Sequence, residues 1–234
     1  AEPPRSFDEG GARFVAASVA PDLEKARRNA VPGRWVVLYD TSGSRSAETL
    51  AAQRRFVRSL AAELDDDAEI TVLALDHDAR AITERLSASN ERDRATLDAA
   101  LVRAGENAAG DTRLDVGLHA AAAAFGADIR EGDTVVYVGD GVPTGALRDP
   151  AALSKALPSG VRFAGVAVGD TVDTKLLDAI ANQRTGLAIA VGTGENLADR
   201  AFDFVSALRT PCLRGLTAQV VGASGQPARG AGLV

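Results

Sequence analysis

The sequence has little cysteine and histidine. Its 234 residues include one cysteine, Cys212, and two histidines, His77 and His119. A single cysteine excludes an internal disulfide and gives no sign of the redox compartment. Because zinc in proteins is held largely by Cys and His ligands, a tetrahedral zinc site is not expected. Cys212 is interpreted as a small core residue, and His77 as part of a solvated turn at residues 76–78.

Methionine and long apolar runs are also missing. The absence of methionine even at position 1 indicates a processed product or a part of a longer protein. No stretch approaches about 18 consecutive apolar residues, so no membrane-spanning segment is expected. Residues 1–4 lack the basic and apolar regions of a signal peptide. The compartment is therefore not assigned, and a secreted, periplasmic or cell-surface location would require an export signal upstream.

Clustered positive charge is a third absence. The formal net charge is −6, and lysine and arginine are scattered among acids, as at residues 91–94. Nucleic acids and anionic lipids bind clustered basic residues, so neither is expected as a partner. Apolar residues make up 46% of the chain and charged residues 25%, which is typical of a globular protein rather than a disordered one.

What the sequence does contain is a regular alternation of short apolar runs and amphipathic segments. The apolar runs predict buried strands at 36–39, 70–75, 134–138, 161–168 and 187–191. Helical spacing predicts helices at 90–103, 114–125, 174–182 and 196–208, and one with Leu50, Phe56 and Leu60 on its apolar face. This alternation predicts a Rossmann-like α/β fold, with a mostly parallel central sheet, helices on both faces and one antiparallel edge strand at 79–83.

The two ends of the chain differ from this middle part. Residues 1–12 are rich in Pro, Gly and charge and look like a linker, and residues 13–20 alternate loosely like a strand. Residues 216–221 alternate like an edge strand before Gly-rich sequence. We expect residues 1–32 to be a linker and strand of a flanking β domain, 33–209 the α/β domain, and 210–234 the start of, or return to, a flanking β domain.

Oxygen-bearing side chains stand where two predicted parallel strands end. Asp40, Ser42 and Ser44 form the pattern Asp-x-Ser-x-Ser directly after the first of these strands, and Asp140 follows a later one. Thr112 lies in a third loop, just before a predicted helix. Ligands of parallel α/β sheets bind at the carboxyl ends of the strands, so the three loops can converge on one point.

Together these loops offer two carboxylates and three hydroxyls. Such hard oxygen ligands are those that magnesium prefers, and less selectively manganese or calcium. The set falls short of a full octahedron of protein ligands, so waters would complete the shell. One position is therefore left that a carboxylate of another molecule can occupy.

These motifs resemble the metal-ion-dependent adhesion site of von Willebrand factor type A domains. The order and spacing match in three separated segments, Asp40-Thr41-Ser42-Gly43-Ser44, Gly110-Asp111-Thr112 and Val138-Gly139-Asp140-Gly141. Residues 165–170 and 176–181 also resemble a later strand and helix of that family, so the resemblance covers about residues 33–209. It implies a Rossmann-like sheet, a magnesium or manganese ion held at Asp40, Ser42, Ser44, Thr112 and Asp140, and a protein partner that presents Asp or Glu.

Two positions depart from the family pattern. Asp111 stands where glycine is usual before the threonine, as an accessory carboxylate that raises cation affinity or as a solvated side chain. Arg45 stands where an apolar residue is frequent. The segments flanking the α/β domain resemble those in proteins of the inter-alpha-trypsin inhibitor heavy-chain type, in which a β domain precedes this one. A neighbouring β domain is therefore expected in the full-length protein.

Three functions remain open on the residues alone. The first is a non-enzymatic adhesion or assembly module, which the resemblance implies. The second is a metal-dependent hydrolase of phosphate esters with Asp40 as nucleophile or general base, although the motifs contain neither Lys nor His. The third is a structural domain with a degenerate site, in which Asp40 and Ser44 only cap a helix and residues 140–141 only form a turn.

Overall fold

The computed structural model describes residues 5–10, 12–16, 33–43, 46–106, 108–130, 132–144, 147–170 and 172–210. The chain divides into two compact units, Ala1–Asn29 with Pro211–Val234, and Ala30–Thr210. The strand predicted at 216–221 lies outside the described residues. None of the described helices is long and apolar enough to cross a membrane.

The described part of the first unit is an antiparallel pair of strands, β1 (Arg5–Glu9) and β2 (Ala12–Ala16). Phe7 lies directly opposite Phe14 in the register, and their stacked rings have centroids 5.1 Å apart. The prediction of a linker at residues 1–12 is therefore wrong for 5–9. Its composition is that of a linker, but a cross-strand aromatic pair stabilises a hairpin there.

The second unit alternates strands and helices. Its strands are β3 (Arg34–Asp40), β4 (Glu69–Leu75), β5 (Ala79–Ala81), β6 (Leu86–Ser87), β7 (Thr134–Gly139), β8 (Arg162–Val168) and β9 (Ala188–Val191). Its described helices are α1 (Ala47–Glu63), α2 (Glu91–Glu106), α3 (Leu114–Phe125), α4 (Pro150–Lys155), α5 (Lys175–Gln183) and α6 (Leu197–Arg209). The predicted strands and helices agree with these bounds within a few residues, whereas β6 and α4 had not been predicted.

The strands form one sheet in the order β5-β4-β3-β7-β8-β9, with β6 also paired to β4. The pairs from β4 through β3, β7 and β8 to β9 are parallel. The antiparallel edge consists of two short strands, β5 and β6, which follow one another along β4. The predicted Rossmann-like fold, with a mostly parallel sheet and an antiparallel edge, is confirmed.

Helices cover both faces of the sheet, which explains the continuous apolar runs of its strands. Val37 and Tyr39 point into a core shared with α1, α2 and α6. Val36 and Leu38, on the alternate positions, point into a second core shared with α3, α4 and α5. From β3 the chain continues to β4 on one side and later to β7 on the other. The carboxyl ends of β3 and β7 therefore flank the topological switch point, where ligands of such sheets bind.

A buried ion pair closes the opposite, amino-terminal end of these strands. Arg34 and Asp133 are 5% and 0% exposed, and the Arg34 Nε donates to the Asp133 carboxylate at 3.0 Å. The guanidinium also donates to the carbonyl of Phe125 at 2.8 Å, and the N–H of Arg130 donates to Asp133 at 2.9 Å. Burial acts to raise the pKa of Asp133, but these hydrogen bonds and the Arg34 charge outweigh it, so the net pKa lies below its ordinary value.

We expect Asp133→Asn to lower the free energy of unfolding by about 3–5 kcal/mol, because the buried guanidinium of Arg34 loses its carboxylate. The exposed pair of Asp65 and Arg209, with N and O atoms 2.9 Å apart, provides the control. Asp65→Asn should cost less than about 1 kcal/mol. Chemical denaturation followed by circular dichroism measures both, and equal small losses would contradict this account.

The same pair predicts the acid dependence of stability. Because the folded pKa of Asp133 lies below the unfolded value of about 3.9, its stabilisation is present above that value and is lost as the pH falls through the folded pKa. The stability of the wild type should therefore fall more steeply below about pH 4 than that of Asp133→Asn.

Candidate metal centre

The carboxylate of Asp40 lies at the end of β3 and is 0% exposed. One oxygen, Oδ1, accepts a hydrogen bond from the N–H of Ser42 at 2.9 Å, and Oδ2 accepts one from the hydroxyl of Tyr137 at 2.7 Å. The hydroxyl of Thr112 lies 3.4 Å from both oxygens, and its single O–H can donate to either of them. Donors from the β3 loop, from β7 and from the loop before α3 thus meet on one carboxylate.

Backbone hydrogen bonds hold the β3 loop against the loop that carries Thr112. Gly43 donates to the carbonyl of Gly110 at 3.0 Å, and Ala109 donates to the carbonyl of Thr41 at 2.9 Å. The N–H of Thr112 donates to the hydroxyl of Thr144, on the loop after β7, at 2.9 Å. These contacts hold the three loops side by side.

Asp140 follows β7, the strand next to β3. The register pairs Tyr39 with Val138, so Asp140 lies one residue beyond the position opposite Asp40. Its carboxylate is half-buried and accepts from the N–H of Val142 at 2.8 Å. Its carbonyl accepts from the N–H of Asp173 at 3.2 Å, which ties the β7 loop to the loop after β8.

The structure thus joins most of the predicted site. Asp40, Ser42 and Thr112 are buried together through hydrogen bonds, and Asp140 lies at the end of the adjacent strand. Asp111 is exposed on the same loop as Thr112. Ser44 and Arg45 lie outside the described residues.

Sequence reasoning missed Asp76, which is only 3% exposed and contacts the loops of Thr41 and Thr112. The predicted solvated turn holds for His77, whose side chain is 75% exposed, but is wrong for Asp76. The Asp76 carbonyl accepts from the N–H of Arg113 at 2.8 Å, and its carboxylate lies 2.6 Å from Arg80 Nη1 and 3.4 Å from the Thr41 hydroxyl. Burial would raise the pKa of Asp76, yet the hydrogen bonds, chiefly from Arg80, hold it below its ordinary value.

The side chains at this sheet edge offer ligands that suit a hard cation. These ligands are carboxylate and hydroxyl oxygens, which magnesium and manganese prefer. Within the described residues there is no group of three or more His, Cys, Asp or Glu that could hold a metal. A cation at this edge would therefore be held by a mixed set of carboxylates and hydroxyls rather than by a cage of carboxylates or histidines.

Fold and site together define a doubly wound α/β domain with a carboxylate and hydroxyl cluster at its topological switch point. A sequence model of the von Willebrand factor type A domain matches residues 36–201, and the chain belongs to this family. The predicted resemblance is confirmed. Domains of this family are generally interaction modules rather than enzymes, and they often bind a divalent metal at the adhesion site.

Solved structures share this fold. A von Willebrand factor type A protein from Catenulispora acidiphila is 22% identical with a TM-score of 0.64, over 77% of this chain and 42% of that one. BatB from Bacteroides thetaiotaomicron is 15% identical with a TM-score of 0.61, over 75% of this chain and 98% of that one. Proximal thread matrix protein 1 from the mussel byssus, with a zinc-occupied adhesion-site motif, is 15% identical with a TM-score of 0.58. The match covers 75% of this chain and 48% of that one. The comparison with curated proteins found no match.

We expect Gly141→Ala to disrupt the loop that carries Asp140. Gly141 has a φ of +77°, and a Cβ there would lie 2.0 Å from the carbonyl oxygen of Asp173. Backbone strain and steric conflict together should cost roughly 2–5 kcal/mol of stability. In the control Gly160→Ala, φ is +90° but the nearest atom lies 3.8 Å away, so only the strain of about 1–2 kcal/mol remains. Thermal unfolding compares them, and equal costs would contradict the steric argument.

Proposed function

We propose that this domain binds a protein partner through a divalent metal ion that grips an acidic group of the partner. The ion is held by Asp40, Ser42, Ser44, Thr112 and Asp140. The observation that carries the proposal is the wholly buried carboxylate of Asp40, oriented by donors from three segments at the switch point. Magnesium is the expected ion, with manganese as the alternative ahead of calcium.

The energetics of burial favour a cation here. Removing a carboxylate from water is costly unless hydrogen bonds and positive charge compensate. The N–H and O–H donors on Asp40 supply hydrogen bonds, and a bound ion adds the positive charge. Because magnesium requires near-octahedral oxygen ligands and keeps several waters, the protein need not fill the shell. A carboxylate of a partner can then replace a water, and Asp111, exposed beside Thr112, is an accessory charge for the incoming ion.

Apolar side chains beside the site suit a protein partner. Val142 and Leu147 are 40% and 38% exposed, and both lie on the loop that begins at Asp140. A partner with apolar side chains near its acidic group would suit these exposed residues. The family's interaction role and the zinc-occupied motif of the mussel protein support this reading. The flanking β segments, residues 1–32 and 210–234, belong in this proposal to a neighbouring β domain.

Two arginines among the described residues near the site do not favour hydrolysis of phosphate esters. The guanidinium of Arg80 is paired with Asp76 at 2.6 Å, and that of Arg113 with Asp115 at 2.8 Å, so both cations are already engaged by carboxylates. We therefore place the domain among binding modules rather than enzymes. Hydrolysis of a generic phosphate ester by the wild type in magnesium, together with loss of that hydrolysis in Asp40→Asn, would show that the domain is an enzyme.

Asp40→Ala should abolish specific magnesium binding while the fold remains intact. Its carboxylate supplies much of the negative charge that offsets dehydration of the ion. The control is Asp128→Ala, because Asp128 has a side chain 82% exposed near the amino end of β7. Isothermal titration calorimetry with circular dichroism measures binding and fold. Unchanged affinity in a folded Asp40→Ala protein would refute the metal site.

Thr112 allows the role of a hydroxyl to be separated from that of side-chain volume. Thr112→Val removes the hydroxyl at nearly constant volume, and Thr112→Ser keeps it. The partner is a protein that the wild type captures in magnesium but not in the presence of a chelator. We expect Thr112→Val to bind this partner about tenfold more weakly, a loss of about 1.4 kcal/mol. The loss of magnesium affinity should be smaller, since a hydroxyl binds the ion less strongly than a carboxylate. Equal behaviour of the two variants would show that the hydroxyl is not used.

A further inference from the structure

Tyr137 makes a contact that its place in an apolar strand does not suggest. It lies in the middle of β7, is 0% exposed, and packs in the core formed with α3, α4 and α5. Its hydroxyl nevertheless reaches the end of the neighbouring strand and donates to Asp40 Oδ2 at 2.7 Å. A hydrogen bond from a neutral donor to an ionised carboxylate is short and strong.

Gly139 makes this reach possible. Residues 137 and 139 share one face of β7, because side chains alternate along a strand. A Cβ at position 139 would lie 2.1 Å from the Tyr137 Oη and 2.6 Å from Asp40 Oδ2. The end of the phenol therefore occupies the space that a side chain at 139 would fill. Gly139 and Tyr137 act as a pair, in which one residue leaves the space and the other fills it with a hydroxyl.

We propose that Tyr137 is a positioning residue of the metal centre, which fixes the orientation of the Asp40 carboxylate toward the ion. This inference rests on the proposed metal-binding function. Ser42 N–H holds Oδ1 and the Tyr137 hydroxyl holds Oδ2. With both oxygens held, rotation of the carboxylate plane is restrained. The carboxylate therefore presents one fixed orientation to the ion.

The consequence is a measurable contribution to metal affinity. Groups that orient a metal ligand are commonly worth about 10–100-fold in affinity. Removal of the Tyr137 hydroxyl leaves the buried Oδ2 of Asp40 with one donor fewer. The carboxylate is then less well oriented, and binding of the ion is weaker.

The chain contains an internal control in Tyr39, the other of its two tyrosines. Tyr39 is 1% exposed and precedes Asp40 directly, but it points into the opposite core. Its hydroxyl donates to the carbonyl of Leu50 at 3.3 Å rather than to Asp40. Tyr39→Phe is thus the same chemical change, on the adjacent strand, without the contact to Asp40.

The test titrates magnesium and manganese into the wild type, Tyr137→Phe and Tyr39→Phe by calorimetry, with the fold checked by circular dichroism. We expect Tyr137→Phe to bind at least about tenfold more weakly, and Tyr39→Phe to bind like the wild type. Near-UV difference absorption gives a second measurement. In Tyr39→Phe the remaining tyrosine is Tyr137, so addition of magnesium should shift a tyrosine band. The same addition to Tyr137→Phe should produce no tyrosine shift.

The outcomes separate this inference from the proposed function. If the wild type binds magnesium and Tyr137→Phe binds equally well, Tyr137 only fills the core and the inference is wrong while the metal site stands. If the wild type does not bind, both are overturned. If Tyr137→Phe fails to fold, the spectrum of Tyr39→Phe decides, and the absence of a magnesium-induced tyrosine shift there refutes the role of Tyr137.

Discussion

The wholly buried carboxylate of Asp40, at the end of β3, determines how the loops at the carboxyl ends of the strands are arranged. A desolvated Asp40 needs donors on both oxygens, and local sequence supplies the N–H of Ser42. The other donors come from the neighbouring strand and from the loop before α3. The three segments therefore have to meet at one point, and the backbone hydrogen bonds between the loops follow from that requirement.

Each end of the sheet contains a buried carboxylate, and the two carboxylates differ in their hydrogen-bond donors. At the amino ends of the strands, Asp133 is neutralised by Arg34 through charge-assisted hydrogen bonds, and the pair is closed to solvent. At the carboxyl ends, Asp40 is held by N–H and O–H donors of neutral groups beside exposed loops. In the first arrangement, removal of one partner would leave an uncompensated buried charge. The second fixes the orientation of the Asp40 carboxylate through hydrogen bonds from a strand and two loops.

The family relationship accounts for the frame but not for the details of this edge. Proteins that are only 15–22% identical share the fold, because a parallel sheet covered on both faces depends on apolar patterning rather than on particular residues. The contact of Tyr137 with Asp40 depends on two specific residues, since a side chain at position 139 would close the space it crosses. Differences among members are therefore to be sought in such pairs at the strand ends.

The sequence by itself determined the order of strands and helices, the Rossmann-like class and the loops that carry Asp40, Thr112 and Asp140, because apolar periodicity and turn residues act locally. Helix α4 is not predicted from the sequence because its six residues are too few to show a helical period. The linker-like composition of residues 5–9 concealed a strand that a cross-strand ring pair stabilises.

Only the tertiary structure decided which residues support the site. Tyr137 reads as one more apolar residue of β7, and its hydroxyl finds Asp40 only because β7 lies beside β3 and residue 139 has no side chain. Asp76 reads as part of a solvated turn, and it is buried because Arg80 and the loop of Thr41 fold over it. Such contacts join residues distant in the sequence or depend on neighbouring loops, so no local pattern encodes them, and the packing of the whole sheet sets them.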